Sequence, residues 1–273
     1  MQNAIGVFDS GLGGLTVLNA AIKLLPSEQF IYVADSLHAP FGNKSDDFIL
    51  MRCLIICDFF KRQNVKCILL ACNTATLACV AKLREKIDVP IVAIEPGLKP
   101  AVLDSKTQNI LMLATHSTLQ STNYQNLVTN YAKNSVVHTK ACNGWVELVE
   151  SGRSFLTPVS PDTLQLIEQY LEILKDETID QIVLGCTHYP FLKPLILQYI
   201  KSINRFKTLN VVDTSDAVAK QLQNILKIHN LLNEPDNQKK PKIVECYSSS
   251  DKTQSSLLQS LCNSPIQFLG QFE

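Results

Sequence analysis

"CILLACNTAT", residues 67–76, is the stretch that decides how this chain can fold. Four apolar residues, 68–71, lead to Cys72, and Asn73 and Thr74 follow it directly. A short apolar run without strict alternation is typical of a strand buried on both faces, as in a parallel sheet covered by helices. In such sheets ligands bind beyond the carboxyl ends of the strands. The stretch therefore predicts a functional thiol at the end of a buried strand.

A second stretch, "QIVLGCTHYP" at residues 181–190, repeats this pattern. An apolar run again reaches a cysteine, Cys186, and Thr187 and His188 follow it. The two thiols are 186 − 72 = 114 residues apart. This internal echo favours a duplicated architecture of two α/β halves.

Composition excludes several classes of protein. The chain has 273 residues, is 46% hydrophobic, and carries 25 basic and 25 acidic residues. A balanced charge without a basic patch argues against nucleic acid or an anionic membrane as a partner. The N-terminal "MQNAIGVFDS" lacks the basic region of a signal peptide, and no apolar stretch is long enough to span a bilayer. We expect a cytoplasmic protein that acts on a small molecule.

The cysteine pattern favours reduced thiols and no metal. Nine cysteines in a cytoplasmic chain are expected to be free, and no C-x-x-C spacing of a zinc or redox motif occurs. Cys53 and Cys57 are four residues apart, but their Leu, Ile and Phe neighbours predict core packing. Only Cys72 and Cys186 are followed by polar groups that suggest chemistry.

Strands and helices alternate along nearly the whole chain, which is the α/β signature. We predict two pseudo-symmetric three-layer αβα domains with mainly parallel sheets. The first would hold residues 1–97 and 208–273, and the second residues 98–207. The stretch "STLQSTNYQNLVTNYA" predicts one helix capped by Ser117 or Thr118. The active site is expected in the cleft that the two domains share.

Polar side chains collect at the predicted strand ends. The first half offers Asp9 and Ser10 before a glycine-rich turn, together with Cys72, Asn73 and Thr74; the second half offers Thr115, Thr118, Cys186, Thr187 and His188. The turn "DSGLGG" is not a nucleotide-binding motif, and Asp9 is equally compatible with a capping role. Glu147 and Glu150 are three residues apart on a predicted helix. From sequence alone we interpret both as solvent-exposed carboxylates.

Two thiols on opposite walls of one cleft suit a two-base racemisation. One thiolate removes a proton from one face of a carbon, and the other thiol delivers a proton to the opposite face. A cysteine hydrolase that uses Cys186 and His188 is an alternative, but it leaves Cys72 without a role. A further alternative is a protein that keeps the fold and binds a ligand but catalyses no reaction. No lysine lies at a strand end to form a Schiff base, so no cofactor is predicted.

The residues at these positions resemble those of the glutamate racemases, within the aspartate/glutamate racemase superfamily. The resemblance rests on "GVFDSGLGGLTVL", "PFG", "ACNTAT", "IEPG", "LGCTHYPFL" and "VVDTS". It implies cofactor-independent interconversion of L- and D-glutamate for peptidoglycan synthesis, in a homodimer. Aspartate or a related amino acid is the alternative substrate.

The resemblance also implies roles for individual residues. Cys72 and Cys186 would be the catalytic thiols, assisted by Asp9, His188 and Glu150, with Glu147 as the fallback for Glu150. The residues expected to line the substrate site are Asp9, Ser10, Phe41, Gly42, Asn73, Thr74, Thr187 and His188, to which the strand ends add Thr115 and Thr118. Phe41 replaces the tyrosine of the family's "PYG", and the surroundings of Glu150 match the family only loosely.

Overall fold

The structure is a computed structural model that describes residues 3–175, 178–205, 207–234, 242–250 and 255–273. Its strands are β1 (Ile5–Asp9), β2 (Phe30–Ala34), β3 (Cys67–Leu70), β4 (Ile91–Ala93), β5 (Asn109–Ala114), β6 (Val136–Ala141), β7 (Gln181–Leu184), β8 (Asn210–Val212), β9 (Val244–Ser248) and β10 (Ile266–Gln271). Its helices are α1 (Leu15–Leu24), α2 (Asp46–Arg62), α3 (Asn73–Arg84), α4 (Leu98–Asp104), α5 (His116–Gln120), α6 (Thr122–Tyr131), α7 (Trp145–Glu150), α8 (Pro161–Leu171), α9 (Lys193–Ser202), α10 (Ser215–Ile228) and α11 (Ser255–Leu261). Short 3₁₀ turns cover Ser36–His38, Phe41–Asn43, Arg153–Phe155, Glu172–Lys175 and Tyr189–Leu192.

The chain divides into two compact units. The first holds the residues up to Ile94 together with Ser215–Glu273, and the second holds Glu95–Thr214. The first unit contains a six-stranded sheet of order β10-β9-β2-β1-β3-β4, and the second a four-stranded sheet of order β6-β5-β7-β8. Each described strand pair is parallel, so the predicted α/β class with parallel sheets is confirmed.

Our prediction ends the second domain at residue 207, whereas the second unit extends to Thr214. Strand β8 pairs in parallel with β7, with Val212 opposite Val183, so the segment around it belongs to the sheet of the second unit. Sequence alone could not assign β8, because a three-residue apolar strand fits the edge of either sheet.

Helix packing in the first unit follows from the pattern of its strands. Phe8 on β1, Val33 on β2 and Leu70 on β3 form one apolar cluster with buried residues of α2 and α3. A second helix pair, α1 and α10, packs together elsewhere in the same unit. Burying apolar strand surface under amphipathic helices is the main stabilising contribution in such folds.

The second unit buries its sheet under α7, α8 and α9. Leu111, Leu113, Ile182 and Leu184 form one cluster with apolar residues of these helices, including Trp145. Helix α8 begins as predicted, because Ser160 accepts a hydrogen bond from the Thr163 amide at 3.3 Å and Pro161 takes the first helical position.

The single helix predicted after β5 is instead two helices. Thr115 caps α5 by accepting from the Thr118 amide at 3.3 Å, and Ser121 caps α6 by accepting from the Tyr124 amide at 3.1 Å. Ser121 has extended backbone angles, and its hydroxyl also donates to the Thr118 carbonyl at 2.8 Å. The prediction was wrong because a serine that caps its own helix interrupts the preceding one.

The two sheets share one strand order. Four neighbouring strands of the first sheet run β2-β1-β3-β4, and the whole second sheet runs β6-β5-β7-β8. In each set the first strand along the chain pairs with the second and the third, and the fourth pairs with the third. Strand β7 therefore takes the place in its sheet that β3 takes in the other.

Candidate active site

The first half of the candidate site lies at the carboxyl ends of β1 and β3. Cys72 follows β3 and occupies the N-cap position of α3, with extended backbone angles. Its Sγ is 3.9 Å from the Ser10 hydroxyl, and both residues are buried. The positive end of the helix dipole favours a negative charge on a group at this position. The structure therefore brings together Cys72 and Ser10 as the sequence predicted.

Asp9 organises the glycine-rich turn after β1. Its carboxylate oxygen Oδ2 accepts hydrogen bonds from the amides of Gly11 at 3.2 Å and Gly14 at 3.0 Å. A Cβ at Gly14 would lie 2.6 Å from the Asp9 Cβ and 2.9 Å from the Tyr32 hydroxyl, so only glycine fits there. Asp9 thus has the turn-stabilising role that the sequence left open, in a position directly beside Ser10.

Asn73 carries the strongest sign of a ligand in this half. The residue is 2% exposed, and neither its amide nitrogen nor its amide oxygen has a hydrogen-bond partner within the described residues. Buried polar atoms are normally satisfied, so an amide left unpaired beside a thiol points to a molecule that supplies the missing bonds. Thr74, the next residue of α3, is also buried.

The "PFG" segment packs against the same region. The turn Phe41–Asn43 contacts α3, and the Phe41 ring is 1% exposed in the apolar cluster that includes Cys72. A ring in this environment contributes apolar packing, which does not depend on a phenolic hydroxyl. The replacement of the family's tyrosine by Phe41 is therefore compatible with an intact segment.

The second half of the candidate site is a chain of three contacts. Cys186 follows β7, and its Sγ is 3.7 Å from Nδ1 of His188. The other ring nitrogen, Nε2, is 2.6 Å from Oε1 of Glu150 at the end of α7. The structure thus joins the three second-half residues to which the sequence analysis gave catalytic roles.

The contacts of His188 determine its charge. Burial lowers the pKa of its imidazole, but the hydrogen bonds and charges of Cys186 and Glu150 raise it, and the net pKa lies well above the ordinary value. A protonated His188 donates from both ring nitrogens, which matches an acceptor on each side. A proton on the ring would place its positive charge 3.7 Å from the Cys186 sulfur.

The two thiols differ in the backbone that follows them. Cys72 directly precedes the 12-residue helix α3, whereas a four-residue 3₁₀ turn, Tyr189–Leu192, separates the Cys186 segment from α9. Only Cys72 therefore lies directly at the start of an α-helix. Cys186 instead has His188 beside it, and the raised pKa of that imidazole favours a positive charge there.

Helix α7 is held in place by aromatic packing that the sequence analysis did not anticipate. The Trp145 ring meets Tyr189 edge-on, with centroids 5.0 Å apart, and its Nε1 donates to the Leu166 carbonyl at 3.0 Å. Tyr189 directly follows His188, so this contact fixes Glu150 and His188 relative to each other. The adjacent aromatic residues in "GW" and "HY" were the available signal.

Packing also distinguishes the two candidate glutamates. Glu150 is partly buried against His188, while Glu147 is exposed on α7. The assignment of Glu150 as the residue beside the histidine is supported by this contact.

The threonines of the second half have local partners. Thr115 Oγ1 lies 2.9 Å from Thr118 Oγ1, in addition to its capping bond, and both side chains are buried at the end of β5. Thr187 is buried between Cys186 and His188. These positions at strand ends agree with a role in substrate binding, which stays a prediction for all three.

Burial disfavours the reactive thiolate form of several other cysteines. All nine cysteines are buried, and none of them forms a disulfide bond. Burial raises the pKa of Cys57, Cys67 and Cys246 to about 12, which disfavours the reactive thiolate at neutral pH. Burial also raises the pKa of Cys53, and core packing is its role, as predicted.

Metal-binding clusters and membrane-spanning helices are both absent from the described part of the chain. Those residues contain no group of three or more His, Cys, Asp or Glu side chains able to hold a metal ion. None of the described helices is both long and apolar enough to cross a membrane.

Known proteins resemble this chain in sequence over most of its length. A model of the Asp/Glu/hydantoin racemase family matches residues 15–222. The glutamate racemase of Pseudomonas syringae pv. tomato is 45% identical over 229 residues, which cover 84% of this chain and 80% of that protein. The glutamate racemase of Pseudomonas aeruginosa PAO1 is 43% identical over 230 residues, covering 84% of this chain and 83% of that protein.

Solved structures of known proteins resemble this chain in fold. Escherichia coli glutamate racemase, in complex with L-glutamate and the activator UDP-MurNAc-ala, has a TM-score of 0.82 and 27% identity over 99% of both chains. Francisella tularensis glutamate racemase, in complex with D-glutamate, has a TM-score of 0.81 and 27% identity, covering 99% of this chain and 97% of that chain.

Proposed function

The chain belongs to the Asp/Glu/hydantoin racemase family, and we propose that it interconverts L- and D-glutamate by a cofactor-independent two-base mechanism. Its relatives named glutamate racemase, and the similar solved structures that contain L- or D-glutamate, support glutamate as the substrate. The D-glutamate produced would serve peptidoglycan synthesis.

One observation carries the proposal: Cys72 and Cys186 occupy equivalent positions of two sheets with the same strand order. Each thiol lies two residues beyond the last paired residue of its strand, Leu70 or Leu184. Each is also followed by small polar side chains. A mechanism that needs one thiol on each face of a carbon accounts for this duplication, whereas a single nucleophile does not.

The proton transfers balance without any other reactant. A thiolate removes the proton from Cα of one enantiomer and becomes a thiol, while the carbon becomes a carbanion. The second thiol gives its proton to the other face of the carbon and becomes a thiolate. The enzyme then holds the protons in the reverse arrangement, ready for the opposite enantiomer.

The neighbouring side chains suit assisting roles. His188, charged between Cys186 and Glu150, stabilises negative charge on that sulfur and on the developing carbanion. On the other side, Asp9 and Ser10 lie at the strand end beside Cys72, where a carboxylate can influence the proton of the thiol. We assign Asn73, Thr74, Thr115, Thr118, Thr187 and the Phe41–Gly42 segment to binding of the substrate's carboxylates and amine.

The proposal is tested by incubating purified protein with L-glutamate in D₂O, while optical rotation and deuterium at Cα are followed. Loss of rotation with deuterium incorporation would support racemisation. In Cys72→Ser and Cys186→Ser, the remaining thiol should exchange the Cα proton of one enantiomer while rotation stays constant. Exchange of aspartate but not glutamate would overturn the choice of substrate and leave a racemase of the same family.

A cysteine hydrolase is a second candidate because of one observation, the series of contacts Cys186–His188–Glu150. A thiol, an imidazole and an orienting carboxylate are the parts of a covalent nucleophile. This alternative gives Cys72 no task, so it predicts that Cys72→Ser retains full activity. Release of a product from an ester or amide of glutamate, together with an active Cys72→Ser variant, would favour it.

We also propose a homodimer in the cytoplasm, on the strength of the resemblance to glutamate racemases. Sedimentation at several protein concentrations would test the dimer. A single monomeric species at all concentrations would contradict it.

A further inference from the structure

A buried ion pair lies next to the candidate site and has no role in the proposed chemistry. Asp35 directly follows β2, and its carboxylate is fully buried. The guanidinium of Arg52, on α2, donates to it twice: Nε to Oδ2 at 2.9 Å and Nη2 to Oδ1 at 3.0 Å. This fork fixes the relative orientation of the two groups, which a single hydrogen bond would not do.

Two more side chains extend the pair. Nδ1 of His38 lies 2.8 Å from Oδ1 of Asp35, and Nη2 of Arg52 also bonds to Oε1 of Glu273. The Phe272 ring centroid is 5.9 Å from the guanidinium carbon, a cation–π contact. Arg52 therefore joins three parts of the first unit: helix α2, the segment after β2 and the segment after β10.

The backbone at Asp35 is tied to the candidate site itself. The Asp35 amide donates to the carbonyl of Asp9 at 3.0 Å. Two residues later, the Leu37 amide donates to the Ser249 hydroxyl at 3.0 Å, and the Ser249 amide donates to the Ala34 carbonyl at 3.1 Å. The first half of the segment between β2 and α2 is thus held against the ends of β1 and β9.

The same segment continues into Phe41 and Gly42. Residues 35–45 join β2 to α2, and Arg52 lies on the second turn of that helix. The side-chain fork therefore closes the loop, joining its first residue to the helix that follows it. The turn Phe41–Asn43 lies inside this closed loop and packs on α3, the helix that begins after Cys72.

Stability alone does not explain a buried ion pair. Removing two charges from water costs about as much as their attraction returns, and apolar residues of similar volume are often as stable. What a bidentate pair provides is a defined geometry. A defined geometry matters most where the closed loop presents groups to a ligand.

We propose that Asp35 and Arg52 are positioning residues, which hold residues 36–43 so that the Phe41–Gly42 segment is preformed for binding of the amino-acid substrate. This inference rests on the proposed function of the site. Neither residue contacts the reacting atoms in this proposal, so loss of the fork affects substrate binding more than proton transfer.

The decisive variant is Arg52→Lys, which keeps the positive charge and removes the fork. Its matched control is Arg62→Lys on the same helix, because Arg62 pairs with Asp58 and both side chains are more than half exposed. We expect KM for L-glutamate to rise about tenfold in Arg52→Lys, the effect of one charge-assisted hydrogen bond, with kcat within about twofold. Arg62→Lys should change neither constant.

Hydrogen exchange supplies the second readout. Faster exchange of the amides of residues 36–43 in Arg52→Lys, with β1 and β3 unchanged, would support positioning of the loop. Unchanged KM and unchanged exchange would overturn the proposal. A fall in kcat at constant KM, with faster exchange in all strands, would also overturn it, because general destabilisation reduces only the active fraction.

Two provisions keep the test decisive. If Arg52→Lys does not fold, Glu273→Gln, which alters the more exposed end of the network, should raise KM in the same direction, and an unchanged KM would count against the proposal. If wild-type protein racemises no glutamate, the proposed function fails on its own. Hydrogen exchange then decides whether Asp35 and Arg52 are positioning residues. Faster exchange confined to the amides of residues 36–43 would support that role, and unchanged exchange there would overturn it.

Discussion

Cys72 and Cys186 occupy the same position in two sheets of the same strand order, but their partners differ. Cys72 lies at the start of a helix, 3.9 Å from the Ser10 hydroxyl. Cys186 lies 3.7 Å from a histidine that is itself bonded to Glu150. The two thiols therefore occupy equivalent positions in their sheets, but the charged and polar groups around them differ. The two directions of a reversible proton transfer need not have the same pH dependence.

Each thiol should be indispensable for racemisation. We expect Cys72→Ser and Cys186→Ser to lower kcat by about 10²- to 10⁴-fold, since a serine hydroxyl is a much weaker acid than a thiol and its deprotonated form is scarcely populated at neutral pH. Polarimetry with glutamate measures this. The matched control is Cys262→Ser, because Cys262 is 8% exposed and Cys186 7%. Full activity in Cys72→Ser would contradict the two-base proposal.

Glu150 should act through His188. In Glu150→Gln the charge-assisted contact at 2.6 Å is lost, so we expect kcat to fall by about 10- to 100-fold and the pKa of His188 to decrease. Steady-state kinetics and NMR titration of the imidazole measure the two effects. Glu147→Gln, an exposed change on the same helix, should leave both values unaltered. The reverse result would make Glu147 the assisting residue.

The charge of His188 should make stability depend on pH. Its pKa is lowered by burial but raised overall by Cys186 and Glu150, so the folded state binds the proton more tightly than the unfolded state. The resulting stabilisation is fully present below the unfolded pKa of about 6.5 and is lost as pH rises through the folded pKa. Urea unfolding of wild type and His188→Gln should therefore give a difference in unfolding free energy that shrinks with rising pH. A difference that grows with pH would show a lowered pKa instead.

Asp9 should have separable structural and chemical roles. Asp9→Ala leaves the buried Gly11 and Gly14 amides without their acceptor, so we expect a loss of about 1–3 kcal/mol in unfolding free energy. Asp9→Asn retains an acceptor oxygen and should be nearly as stable as wild type. If the carboxylate influences the proton of Cys72, Asp9→Asn should nevertheless lose about tenfold or more in kcat. Stable and fully active Asp9→Asn protein would reduce Asp9 to a turn-stabilising residue.

The sequence by itself determined the fold class and the strand-end positions of Cys72 and Cys186, because these follow from local patterns. An apolar run that ends in a cysteine and small polar groups identifies a strand end wherever the strand lies in its sheet. The cap of α8 by Ser160 is similarly local, since a helix start depends on a few neighbouring residues.

Only the tertiary structure decided which distant groups meet. Glu147 and Glu150 are equivalent in periodicity, and the packing of Trp145 on Tyr189 selects the one that reaches His188, which lies 38 residues further along the chain. The sheet to which β8 belongs and the pairing of Asp35 with Arg52 depend in the same way on contacts between segments separated in sequence. Periodicity specifies which face of an element is buried, but the partner of that face is selected by side-chain packing across the whole unit.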